Sequence, residues 1–226
     1  SFAEFPVLEK YANELDTLRA QISFANTEAV PVQKANTTTI QERIETYIRL
    51  LLNVSMYIDI PKKQNFYNFE WKGNMREISL RIKDFQYEVS AQFYNLAVVY
   101  FNQALRISQG QVAEELPIAF KYFRCALWAF NESNKSIRKA MVNGTPIPEL
   151  GFNAITGVFN IVMAYAYRCL FLILKPNFSK FTVEQQASFH KTAYEAYRGL
   201  WSSKSQIQNF DKLVSEQEQK KLAGYQ

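Results

Sequence analysis

Apolar residues along this chain recur in steps of three and four, the period of one face of an α-helix. Leu8, Tyr11, Leu15, Leu18 and Ile22 follow Pro6, which suits a helix start. The polar stretch Asn26 to Thr38, with Pro31 inside it, reads as a loop. Thr39 and Glu42 then make a capping-box pattern ahead of Ile44, Tyr47, Leu51, Val54 and Ile58, a helix expected to run to Pro61. From Asp59 to Asp84 the period breaks down. Lysines, asparagines and Gly73 surround Phe66, Phe69 and Trp71 there, which predicts an ordered aromatic connector docked on the helices.

A second set follows. Phe85, Val89, Phe93, Leu96, Tyr100 and Ile107 share one face, ended by the Gly110 region. Phe120, Phe123, Leu127, Phe130 and Ile137 share the next, ended before Asn143-Gly144-Thr145-Pro146. Between Ala154 and Leu174 both faces are apolar, which predicts a central helix stopped by Lys175-Pro176-Asn177. Its most apolar part, Ile161 to Leu174, is 14 residues long and holds Arg168, too short to span a bilayer. Thr182 and Gln185 form another capping box, with Val183, Ala187, His190, Tyr194, Tyr197 and Trp201 as the expected apolar stripe. A weaker amphipathic stretch runs from Phe210 to Leu222.

Leu96-Ala97-x-x-Tyr100 and Ala126-x-x-x-Phe130 pair a small residue with an aromatic, as tetratricopeptide helix pairs do. A small side chain lets two helices approach closely while the aromatic fills the next groove. The expected fold is all-α, a solenoid-like array of helix pairs with a tetratricopeptide-like core. Composition agrees: 226 residues with 7 Gly and 7 Pro but 31 Phe and Tyr favour long helices in a single domain.

Chemistry is sparse. The chain has no glycine-rich phosphate loop, no H-E-x-x-H, no G-x-S-x-G and no paired Cys-x-x-Cys, so no enzyme, metal or cofactor is expected. His190 reads as a packed or rim histidine with no nucleophile partner. Cys125 and Cys169 read as small buried hydrophobes. Of five N-x-S/T sequons, several fall inside predicted helices and read as chance matches. A net charge of +5 is too weak and dispersed for a nucleic-acid binder. It suits a cytosolic protein touching anionic lipid or acidic partners. The small basic groups Lys62-Lys63, Arg76/Arg81/Lys83, Lys135/Arg138/Lys139 and Lys175/Lys180 read as solvated helix ends and loops. Alternatively, Lys62, Lys63, Lys135, Arg138 and Lys139 face an anionic membrane. The chain opens on Ser1 without a leader pattern and is expected to be part of a longer protein.

Several motifs, in order, resemble the BRO1 domain of the Alix type. They are Tyr47-Ile48-Arg49-Leu50-Leu51, Phe69-Glu70-Trp71, Phe85-Gln86-Tyr87-Glu88 and Phe93-Tyr94-Asn95-Leu96-Ala97. Ala119, Tyr122, Phe123, Ala126 and Phe130 continue the pattern, and Leu8 to Arg19 resembles the family's early segment. The resemblance implies a curved domain, longer in the family than here at both ends, that acts as a non-enzymatic docking platform. It implies binding of the C-terminal amphipathic helix of an ESCRT-III subunit during multivesicular-body sorting, in the cytoplasm at endosomal membranes. Matching the family's pocket helices through Ala164-Tyr165-Ala166 and Tyr194-Glu195-Ala196-Tyr197 places the patch at Leu170, Phe171 and Phe189. A further aliphatic pocket position falls on polar Gln185, and the intervening turn is about two residues longer here. The alternative for these residues is plain packing between two neighbouring helices. Two other functions stay open: a peripheral anionic-membrane binder, and an adhesion or signalling scaffold on the same platform.

Overall fold

The computed structural model describes residues 6–27, 36–57, 69–72, 79–82, 84–140 and 150–203. Six helices lie in chain order: α1 (Pro6–Thr27), α2 (Asn36–Tyr57), α3 (Phe85–Gln109), α4 (Leu116–Lys139), α5 (Phe152–Leu174) and α6 (Val183–Ser203). Strands β1 (Phe69–Lys72) and β2 (Ser79–Ile82) stand between α2 and α3, and a 3-10 turn (Lys175–Lys180) joins α5 to α6. Each helix packs chiefly on its chain neighbours, α3 on α4 most extensively, which makes a serial helical array. The all-α reading holds for the body of the domain.

The connector holds regular structure that its composition did not suggest. Part of it is a two-stranded antiparallel ribbon in which Phe69 faces Ile82 and Trp71 faces Leu80. Phe69 docks as expected: it is buried, edge-on to Phe85 at 6.3 Å, with the Arg19 guanidinium 5.3 Å from its ring centre. The side chain of Trp71 and residues 58–68 and 73–78 lie outside the described residues.

Other boundaries shift for local reasons. Helix α2 begins at Asn36, so Thr39 and Glu42 sit inside its first turns rather than at its cap. Asp84 caps α3, its carboxylate accepting from the backbone N–H of Gln86 at 2.7 Å and of Tyr87 at 3.2 Å. At the other end Gly110 keeps helical angles, and Gln111 takes the left-handed conformation at φ 50°. The expected capping box of α6 is present, with Gln185 N–H donating to Thr182 Oγ1 and Thr182 N–H to Gln185 Oε1.

The α3–α4 pair forms as its small residues require. Ala97, Ala104, Ala126 and Ala129 are fully buried, and Ser90 and Ser133 bond each other's carbonyls at 2.9 Å across the crossing. Phe101, Phe123 and Tyr165 then stack in a chain from α3 through α4 to α5. At the α1–α2–α3 junction lies one fully buried carboxylate. Glu88 Oε1 accepts from Tyr47 OH at 2.9 Å, Gln92 Nε2 at 3.1 Å and Arg19 Nε at 3.2 Å. Burial, reinforced by that carboxylate, pushes the Tyr47 phenol far above its ordinary range. Glu88 is the acid of the family-like Phe85-Gln86-Tyr87-Glu88 motif, so part of that motif's meaning is structural.

Candidate docking surface

Helix α5 runs 23 residues, longer than its most apolar 14. Taken with the 3-10 turn after it, Phe152–Lys180 is by length and composition long and apolar enough to cross a membrane. Here α5 packs between α4 and α6, burying Ile155, Val158, Ile161, Val162, Tyr165 and Cys169. Asn160 ties it to α6, its Nδ2 donating to Ser203 Oγ at 2.9 Å and to the Gly199 carbonyl at 3.3 Å.

A third strip of α5 is covered less well. Phe159, Met163, Tyr167, Leu170 and Leu174 step by four, four, three and four, hence along one line of the helix, and all five are only half-buried. The sequence showed this helix apolar all round and implied complete coverage, yet this strip stays partly open to solvent. Leu170 sits within it. Phe171, also half-buried, turns toward α6 and stacks on Phe189 with ring centres 6.2 Å apart. Phe178 of the 3-10 turn caps both rings, at 5.8 Å from Phe171 and 5.6 Å from Phe189. Tyr167 touches Phe189 from the strip side at 6.2 Å. The fold therefore brings Phe171 and Phe189 into direct contact and places Leu170 one residue away on the open strip. Packing between neighbouring helices accounts for the ring-to-ring contacts, and leaves Leu170, Met163 and Leu174 unexplained.

The stripe expected along α6 is rotated. Val183 is 77% exposed and Tyr194 56%, with Ala187 and His190 exposed between them, whereas Ala196, Tyr197, Leu200 and Ser203 are buried. Burial along this helix follows its contact with α5, one residue out of phase with the first turns. His190 is a rim histidine, edge-on to Phe178 at 5.4 Å. Gln185 is exposed and spent on the cap.

Three of the five expected basic residues, Lys135, Arg138 and Lys139, share the last turns of α4. Lys62 and Lys63 lie outside the described residues. On α4, Lys135 pairs with Glu132 at 2.7 Å, the Arg138 guanidinium lies 4.6 Å from the centre of the Phe152 ring, and Lys139 is exposed. Both thiols are raised by burial, Cys169 to about 11, and Cys169 donates to the Leu116 carbonyl at 3.4 Å. Such thiols are poor nucleophiles. Among the described residues no group of three or more His, Cys, Asp or Glu side chains could hold a metal ion.

Serial helices and the ribbon before α3 define a helical-array domain, with the partly open α5 strip as its candidate surface. A family model of the BRO1-like domain matches residues 6–223, and the chain belongs to that family. Two solved structures share the fold at TM-score 0.70 and 20% identity, each over 96% of this chain. One is a complex of the ALIX BRO1 domain with CHMP4C, of which the match covers 58%. The other is ALIX in complex with the SIVmac239 PYKEVTEDL late domain, of which it covers 30%. This chain thus spans less than two thirds of either. Compared by sequence alone with curated proteins, it matches none of them.

Proposed function

We propose that this domain is a non-enzymatic docking scaffold that receives the C-terminal amphipathic helix of an ESCRT-III subunit. Its place would be the cytoplasm, peripherally on endosomal membranes during sorting. The observation that carries the reading is the half-open α5 strip. Leu170 lies on it and the Phe171–Phe189 pair walls one side, on a fold whose ALIX relative has been solved with CHMP4C. A helical ligand presenting apolar side chains at i, i+3 or i+4, and i+7 would seat them along such a strip, with its polar face outward. The rings of Phe171, Phe178 and Phe189 hold one another in place, so little side-chain entropy is lost on binding.

Calorimetric titration of ESCRT-III C-terminal helix peptides tests this. An anchor in a groove is commonly worth ~2 kcal/mol or more, so Leu170→Asp should weaken micromolar binding at least ~30-fold. Phe189→Asp should do the same while also loosening α6. Folded variants that bind as wild type does remove the patch from the account.

A further inference from the structure

Helix α4 carries a second unpartnered face. Lys121, Arg124, Trp128, Lys135 and Arg138 step by three, four, seven and three, with Lys139 beside them, and all six are exposed. At ~100° per residue these positions span an arc of about 100°, and they run ~27 Å along the axis. Within α4 itself Glu132 is the one acid, and it is bonded to Lys135, while Glu45 of α2 acts on the same Cys125 that Lys121 and Arg124 flank. Lys121, Arg124 and Lys139 meet no acidic partner among the described residues. Near the middle stands Trp128, 51% exposed, its ring held edge-on by Phe93 at 5.6 Å. At the far end Phe152, 48% exposed, holds the Arg138 guanidinium. The result is a line of cations around a rigid apolar anchor, the side-chain types that dominate binding energy at interfaces.

We infer that this face docks an acidic amphipathic helix of another protein, laid along α4 with one apolar residue on Trp128. Two observations select a rod-shaped partner. The cations lie on one line of one helix, and the drift of ~20° per heptad lets a straight partner follow it for three to four turns. Adjacent elements do not widen the positive field: α3 and α5 contribute one arginine each, Arg106 and Arg168, both half-buried. A bilayer would favour a plane of charge shared among several elements. A helix with carboxylates on either side of its anchor matches the line. This line and the Leu170, Phe171 and Phe189 patch are built on different helices, and the inference stands whether or not that patch binds an ESCRT-III helix.

The test uses a fluorescein-labelled helical peptide of about 20 residues, long enough for ~27 Å, with glutamates flanking a central leucine. A second peptide carries glutamine at each glutamate. Anisotropy titrations compare wild type, Trp128→Ala, Lys121→Glu/Arg124→Glu and Leu170→Asp, all checked for unchanged helicity. Sedimentation with phosphatidylserine vesicles runs in parallel. We expect the glutamate peptide to bind wild type and Leu170→Asp alike, with at least ~10-fold loss in the two α4 variants and for the glutamine peptide. Binding should also weaken steeply with added salt. Three results overturn the inference: α4 variants that bind as wild type does, binding lost only in Leu170→Asp, or vesicle binding that depends on the α4 cations while the peptide fails to bind.

Discussion

Replacing Glu88 with alanine removes the acceptor shared by three donors from three helices. Tyr47 and Gln92 are almost fully buried, so each loses a partner where water cannot replace it, at about 1–3 kcal/mol apiece. The Arg19 side chain is 23% exposed and partly rehydrates, so its share is discounted. The sum, about 2–6 kcal/mol, brackets the usual cost of about 3–5 kcal/mol for breaking a buried ion pair from one side. Glu88→Gln keeps shape and an acceptor for Tyr47 but loses the charge, and should cost about 1–2 kcal/mol. Urea unfolding followed by circular dichroism measures both. In the Glu88→Ala background, Arg19→Ala should cost less than in the wild type, because that ion pair is already gone while the contact with the Phe69 ring remains. A Glu88→Ala cost below ~1 kcal/mol, or equal costs for alanine and glutamine, would refute the reasoning.

Three further predictions come from other parts of the fold. Phe69→Ala empties the contact between the ribbon and α3 and should cost about 3 kcal/mol or more in the same unfolding assay, whereas an unchanged midpoint would mean the ribbon floats free of the helices. Folding raises the Cys169 thiol to about 11 and the Tyr47 phenol further still, so both groups hold their protons more tightly in the native state. Unfolding should therefore grow easier as pH rises above ~8.5, where the unfolded thiol ionises first, with little thiol contribution below that pH. Cysteine alkylation at pH 8 should be slow in native protein and fast in urea, and rapid native labelling of Cys169 would contradict its burial.

The helices of the array were legible because each buries one face against a neighbour, and burial imposes the three-four step. Phe85, Val89, Phe93 and Leu96 on α3 and Phe123 and Phe130 on α4 are buried as their spacing requires. The ribbon was missed although Phe69-Glu70-Trp71-Lys72 and Ser79-Leu80-Arg81-Ile82 alternate, since four residues of alternation are too few to outweigh the lysines and asparagines around them. On α6 the apolar residues outnumber the buried positions, so Val183 and Tyr194 looked like core and are surface. The ion pair of Arg19 with Glu88 joins residues 69 apart, a separation no local pattern encodes. The candidate site was half legible. Resemblance nominated Leu170, Phe171 and Phe189, while the partly open strip depends on which face of an all-apolar helix its neighbours leave uncovered. The α4 line was likewise seen only as Lys135, Arg138 and Lys139, because Trp128 and its neighbours become a surface only once the opposite face is known to be core.

Photo-cross-linking tests the central claim most directly, since it reports where a bound helix lies. Benzoylphenylalanine placed at Tyr167 lies on the α5 strip itself, and placed at Tyr11, an exposed residue of α1, it serves as a control. With an ESCRT-III C-terminal helix peptide, irradiation should give a one-to-one adduct from position 167, suppressed by excess unlabelled peptide and by Leu170→Asp, and none from position 11. A peptide that binds by calorimetry yet cross-links equally from both positions, or from position 11 alone, would contradict the assignment of α5 as the docking surface.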